Sequence, residues 1–292
     1  MPNFKSFLIP LYITFICVFS CLDARCYAAS ERELTLSVEN DNWAEIQNKL
    51  RENKSATTLR IDVYSDCSAK VLADVLTANK NFTTIFFSHY KFCAEEGKAF
   101  AEVLRVCKNL KTLEIYSKFT MTKGIEPLAK ELSANKTLTN LSLCYRVMEG
   151  ADALAEALKV NQSLKSLRCE SSWGFIPPEG FGKEIADVIK VNQTLESLNL
   201  FCNPLGKEGL EAVAEALKVN QSLKTLRLTM DKRCFDPTVY YKAIEESLKY
   251  NETLTTLNMV DFKLSAETEG WLKTNKILED LSRRGCDISV GK

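Results

Sequence analysis

The feature that most constrains this chain is an asparagine that keeps returning. Asn53, Asn79, Asn135, Asn161, Asn192, Asn220, Asn251 and Asn275 recur, with Cys107 filling one slot, at intervals of 24 to 31 residues. Three residues after the anchor stands an apolar side chain, from Phe82 to Leu278, with Ala56 in the first unit. Three further on comes a second, at Leu59, Ile85, Leu113, Leu141, Leu167, Leu198, Leu226, Leu257 and Leu281, and two later a third such as Ile61, Phe87 or Leu200. The unit reads NxxLxxLxL, and self-similarity at this period is the signature of a stacked repeat architecture.

The last part of the unit has a period of two, which makes it a short strand with alternate side chains turned to one core. Downstream the period changes. Ala151, Leu154, Ala155 and Leu158, and again Leu210, Val213, Ala214 and Leu217, fall at i, i+3, i+4 and i+7, the stripe of an amphipathic helix. One strand and one helix cannot bury their apolar faces alone, so successive units must stack into a parallel sheet with helices on one side.

These residues resemble the leucine-rich repeats of the ribonuclease-inhibitor type. The best match is LNLFCNPLGKEGLEAVAEALKVNQSL, residues 198–223, which carries LxLxxN ending at Asn203, a turn with Gly206 and Gly209, and a full helix. The resemblance spans residues 50–281. It implies an α/β fold: a right-handed solenoid, or horseshoe, with the parallel sheet on the concave face and helices on the convex face. The position equivalent to Asn203 departs from the pattern, holding Tyr64, Tyr90, Lys118, Arg146, Ser172, Asp231 and Phe262, so irregular turns are expected there. Residues 29–50, with Trp43, Ile46 and Leu50 at helical spacing, read as an N-terminal cap, residues 51–281 as about nine units ending in a partial strand at Leu281, and the polar residues 282–292 as a C-terminal cap.

Residues 1–28 read differently. Lys5 precedes an uncharged apolar run from Phe7 to Phe19, and small residues around Ala28 follow, the pattern of a secretory signal peptide cleaved after Ala28. Two other readings stay open: an uncleaved membrane anchor, since Ser6 to Leu22 carries no charge, and a lipoprotein in which Val18 to Cys21 acts as a lipobox. Export would remove three of the 11 cysteines and leave eight, an even number compatible with disulfides. Cys67 and Cys93 fall at equivalent turns of adjacent units, within reach of a bridge, while buried free thiols are the competing reading.

Eight N-x-S/T sequons occur, at Asn53, Asn81, Asn135, Asn140, Asn161, Asn192, Asn220 and Asn251. Six coincide with the anchor, where asparagine is a natural helix-ending and turn-forming residue, so the repeat itself accounts for them.

Function classes narrow by elimination. Lysine plus arginine and aspartate plus glutamate are both 38, so no net field favours nucleic acid. One histidine, His89, gives no basis for a zinc site or an acid–base pair, and its place after a strand suggests the surface. No phosphate loop, HExxH or GxSxG is present, so no enzyme activity, cofactor, metal or small-molecule substrate is expected. Contact with a membrane is expected only through the N-terminal segment.

What remains is binding of a partner protein. In each strand the leucines point inward, so the residues between and after them face the opposite side of the sheet. A row of Thr58, Thr84, Thr112 and their equivalents is expected to hydrogen-bond across strands. Arg60, Phe86, Tyr116, Arg168, Phe201 and Arg227 mix arginine with aromatics, the types enriched at binding hot spots, and are the candidate contact set. Trp173, with Phe175 and Ile176 in a longer unit, is a further candidate, the competing reading being that it folds back onto a helix. The expectation is an exported scaffold, serving host interaction or recognition; a GTPase-activating-type regulator on the same repeat is the alternative.

Overall fold

A computed structural model describes residues 32–39, 42–64, 69–171, 180–201, 203, 205–229, 243–244, 246–260 and 287–289. The leader, Trp173, Phe175, Ile176, Leu281 and Cys67, Cys202, Cys234 and Cys286 lie outside these residues.

The strands are β1 (Glu33–Val38), β2 (Thr58–Val63), β3 (Thr84–Phe92), β4 (Thr112–Met121), β5 (Asn140–Tyr145), β6 (Val147–Met148), β7 (Ser166–Ser171), β8 (Ser197–Leu200), β9 (Thr225–Thr229), β10 (Thr256–Val260) and β11 (Asp287–Ser289). Between them lie α1 (Trp43–Glu52), α2 (Ala69–Thr77), α3 (Ala94–Val106), α4 (Ile125–Ala134), α5 (Ala151–Val160), α6 (Phe181–Val191) and α7 (Gly206–Leu217). The strands form one sheet in chain order, every described pair parallel, with β6 set aside from the path and paired to β4.

Register follows the repeat without slippage through the leucine positions. Leu59 lies beside Ile85, Ile85 beside Leu113, and the same row runs on through Leu141, Leu167, Leu198 and Leu226 to Leu257. A one-residue slip would turn each leucine to the other face, so burial of this row fixes the pairing. The row is fully buried, as are Leu128, Leu132, Leu158, Val213 and Leu217 on the helices. Truncating one such leucine to alanine costs about 2–5 kcal/mol.

The anchor asparagines tie the units together. Asn161 Nδ2 donates to the Asn135 carbonyl at 3.1 Å, Asn192 to that of Asn161 at 3.2 Å, Asn220 to that of Asn192 at 3.1 Å and Asn251 to that of Asn220 at 2.9 Å. Each also reaches a carbonyl at the end of the preceding helix, and each Oδ1 accepts from backbone N–H groups two and three residues on, as Asn220 does from Ser222 and Leu223. The helix-end carbonyls that no helical N–H can reach are satisfied in this way.

Several expectations change. Residues 29–50 hold more than a capping helix: β1 pairs with β2 along all six of its residues and buries Leu36 and Val38. At the other end the described strand is β11, later than Leu281, with Ile288 beside Leu257. Within the expected cross-strand row Asn140 Nδ2 donates to Thr112 Oγ1 at 3.2 Å, and a hydroxyl ladder also runs one residue earlier, where Thr83, Thr139 and Thr255 donate to the carbonyls of Thr57, Lys111 and Lys224. Each of those carbonyls also accepts the backbone N–H of the same threonine and of the residue after it, so the hydroxyl adds to a bond the strand ladder already makes. Cys93 carries a free thiol, and Cys67, the other member of the pair considered, lies outside the described residues. His89 is buried in β3, not on the surface, because the alternation that turns Ile85 and Phe87 inward turns His89 inward too.

Candidate functional site: the open face of the sheet

The face of the sheet away from the helices presents Arg60, Phe86, Glu114, Ser142, Arg168, Asn199, Arg227 and Asn258 side by side, one per strand. From β2 to β9 is six strand spacings, about 29 Å at the usual 4.8 Å. Six of the seven candidate residues therefore lie on one face, although not in one cluster; Trp173 is outside the described residues.

They group in three places. The Arg60 guanidinium lies over the Phe86 ring, 4.3 Å from its centroid, while its Nε donates to Glu33 Oε1 at 3.2 Å. Near the other end Arg227 stacks on Phe201, again at 4.3 Å. Between them Arg168 Nη2 donates to Glu170 Oε2 at 2.6 Å, and Asn199 Nδ2 donates to Glu170 Oε1 at 2.8 Å. Burial works against the Arg168 charge, yet the adjacent Glu170 carboxylate holds its pKa above the usual guanidinium value. Asn199 Oδ1 accepts the Phe201 N–H at 3.0 Å, which fixes the turn that points Phe201 toward Arg227. Tyr116, half-buried, stands on β4 between the groups, in register with Cys144.

Glu170 and Asn199 were not among the expected contact residues, although both were recognisable as lying on this face. Glu170 is only 2% exposed although its position turns it to this face, and Ser142 and Cys144 are buried as well. A signal was present: a carboxylate two residues after an arginine on one strand shares its face and can reach it.

Arg168 Nε and Arg227 Nε are buried and take no hydrogen bond among the described residues. Stacking leaves the edge of a guanidinium free to donate, and Arg227 has no carboxylate partner there. The face can thus offer planar, positively charged donors beside apolar rings.

A second polar cluster lies under the sheet. Cys93 donates its N–H to Glu96 Oε2 at 2.9 Å and its thiol to the same oxygen at 2.7 Å, and His89 Nδ1 lies 3.4 Å from Glu96 Oε1. This caps α3. Burial and the Glu96 carboxylate push the Cys93 thiol pKa up, the opposite of what a nucleophilic cysteine needs. Among the described residues, no group of three His, Cys, Asp or Glu side chains could hold a metal ion, and no helix is long and apolar enough to cross a membrane.

A parallel sheet in which a described helix links each successive main strand from β1 to β9, in a register kept from unit to unit, defines an α/β repeat solenoid. A leucine-rich-repeat family model matches residues 191–214. Among solved structures, the leucine-rich-repeat-containing protein LegL7 from Legionella pneumophila is similar, with a TM-score of 0.54 and 17% identity, over 87% of this chain and 81% of that one. The actin-binding site 2 of leiomodin-1 matches over 46% of this chain and 71% of its own, at 24% identity and a TM-score of 0.36. No curated protein matches the chain. The chain has the fold of leucine-rich-repeat proteins.

Proposed function

We propose that this protein is an exported binding scaffold whose protein partner seats on the open face of the sheet. The observation that carries this reading is the arrangement of Arg60, Phe86, Tyr116, Arg168, Phe201 and Arg227. Three aromatic rings stand half-buried on a face with no core to fill, and two of them are stacked against arginines. Aromatic and arginine anchors dominate binding energy at protein interfaces, whereas a sheet face built only for solubility needs neither. Preformed stacks also reduce the side-chain entropy that a partner's arrival would otherwise cost.

The leader supports export: a basic start, an apolar run and small residues before Ala29. N-terminal sequencing of secreted material tests it, with Ala29 expected as the first residue and Met1 or a lipid-modified Cys21 as the refuting results. The binding reading is tested by affinity capture with residues 29–292, followed by alanine substitution of the six residues. Lys159 and Lys218, on the helical side, serve as controls. Truncating a true anchor costs about 2 kcal/mol or more of binding and leaves the fold intact. If the helical substitutions abolish capture and the six leave it untouched, the partner sits elsewhere.

A further inference from the structure

At the carboxyl ends of β2 to β5 the open face runs on to a rim, two residues beyond the row of Asp62, Ser88, Tyr116 and Cys144. In the best-matching unit this turn position is Asn203, buried and hydrogen-bonded inward. In four earlier units it holds Tyr64, Tyr90, Lys118 and Arg146. These side chains cannot reproduce the inward hydrogen bonds of Asn203, and Tyr64, Lys118 and Arg146 are exposed. β3 and β4 run on past the usual strand end to Phe92 and Met121, with a register shift between His89 and Lys91, and β6 adds to β4 beyond the turn of the next unit. Lys91 is thereby set beside Thr120, and the Arg146 N–H donates to the Phe119 carbonyl at 3.2 Å, which draws residues of three units together.

The chemistry of this rim is specific. Tyr64 is 58% exposed and Phe119 is 52% exposed, two of the largest apolar side chains left open to solvent among the described residues. The Lys118 ammonium lies 5.4 Å from the centre of the Tyr64 ring and that of Lys91 5.3 Å from the centre of Tyr90. Neither Lys118 nor Arg146 has a carboxylate within ion-pair distance among the described residues, unlike Lys159, Lys218 and Lys249 on the helices.

We propose that this rim recognises an acidic protein segment, an extended stretch carrying Asp or Glu beside apolar side chains. The Lys118 ammonium over the exposed Tyr64 ring and the exposed Arg146 attract carboxylates, while Tyr64 and Phe119 take the intervening apolar groups. Nucleic acid and lipid are poorer matches. Non-specific DNA binding draws on roughly 6–10 phosphate contacts, and anionic lipid surfaces on clusters of about 4–8 basic residues, more than this rim provides.

The test is fluorescence anisotropy on the full chain, with a labelled peptide of Glu-Glu-Leu repeats as the acidic probe. A Gln-Gln-Leu counterpart, phosphatidylserine vesicles and single-stranded DNA are run beside it. The acidic peptide binds and the glutamine peptide does not; Lys118→Glu with Arg146→Glu weakens binding at least about tenfold, Tyr64→Ala weakens it, and Arg146→Lys retains it. Thermal melting checks the fold, and Lys118→Gln with Arg146→Gln replaces the reversed pair if that pair melts early. Phe86→Ala and Arg227→Ala on the open face leave peptide binding unchanged, which separates this surface from the one proposed above. Equal binding of the two peptides, no loss in a folded double variant, loss only on open-face substitution, or tighter binding of vesicles or DNA would overturn the proposal.

Discussion

The Tyr145 hydroxyl donates to Asn203 Oδ1 at 3.0 Å in a buried contact between residues 58 positions apart. Asn203 in turn donates to the Cys169 carbonyl at 2.8 Å and the Phe201 carbonyl at 3.2 Å. One amide thus ties the end of β5 to β7 and to the turn after β8. Tyr145→Phe removes one bond of this set and leaves an acceptor buried, for an expected loss of about 1–2 kcal/mol; Asn203→Ala strands more groups and costs more. Denaturant unfolding of the two variants checks the order, and an equal or smaller loss for Asn203→Ala would refute it.

The same tyrosine predicts behaviour in alkali. Burial pushes its phenol well above the ordinary value of 10, so the folded state holds the proton more tightly than the unfolded one. Its contribution is therefore complete below pH 10 and lost as the pH rises beyond it. Tyr145→Phe should narrow the stability difference from the parent chain as pH rises above 10. Parallel stability curves for the two proteins through that range would exclude the effect.

Glu96 predicts the opposite slope. Burial alone would raise its pKa, but the contacts from His89, the Cys93 thiol and the Cys93 N–H outweigh burial and lower it. A carboxylate lowered in the folded state adds stability above its unfolded value, near 4.5, that is lost as pH falls through the folded value. Glu96→Gln should cost about 1–3 kcal/mol at neutral pH, and the gap from the parent should close in acid. Thermal melts at neutral and acid pH measure it; a gap that widens in acid is the contrary result.

Much of this was legible in the chain because burial enforces periodicity. Leu59 through Leu257 line one core, so their spacing revealed strand, face and register, and the open face followed as its complement. The rest needed more than the leucine positions. His89 continues the alternation of Ile85 and Phe87 to an inward position that Val63, Ser117 and Tyr145 hold in other units, and its polarity conceals that burial. Glu170 became buried through Arg168 and Asn199, partners on its own strand and the next, a relationship that side-chain reach decides and spacing does not. β1 was missed because ELTLSV precedes the first anchor and lacks the asparagine that marked each later unit. The anchor's own role was read as turn formation; the bonds from each Nδ2 to the preceding unit require the stacked geometry to be seen.

Those bonds support a last prediction, at Asn220. Its Nδ2 donates to the Ile189 carbonyl at 2.7 Å and the Asn192 carbonyl at 3.1 Å, and its Oδ1 accepts from the N–H groups of Ser222 at 3.1 Å and Leu223 at 2.8 Å. The side chain is 1% exposed, so a glycan on its sequon is incompatible with this fold. Asn220→Ala abandons both sets of bonds and should cost about 2–4 kcal/mol. Asn220→Asp keeps nearly the same shape and both accepted bonds, yet it should be the worse substitution at neutral pH, because a buried carboxylate then faces two carbonyl oxygens. Desolvation and those oxygens favour its protonated form, which can donate one of the lost bonds. The folded state therefore binds the proton more tightly, so the Asp variant gains stability relative to the Ala variant as pH falls and loses it as pH rises. Denaturant midpoints for the two variants at neutral and mildly acid pH decide the matter. An Asp variant at least as stable as the Ala variant at neutral pH would mean that Asn220 serves chiefly as an acceptor and that the donated bonds do not hold adjacent units together.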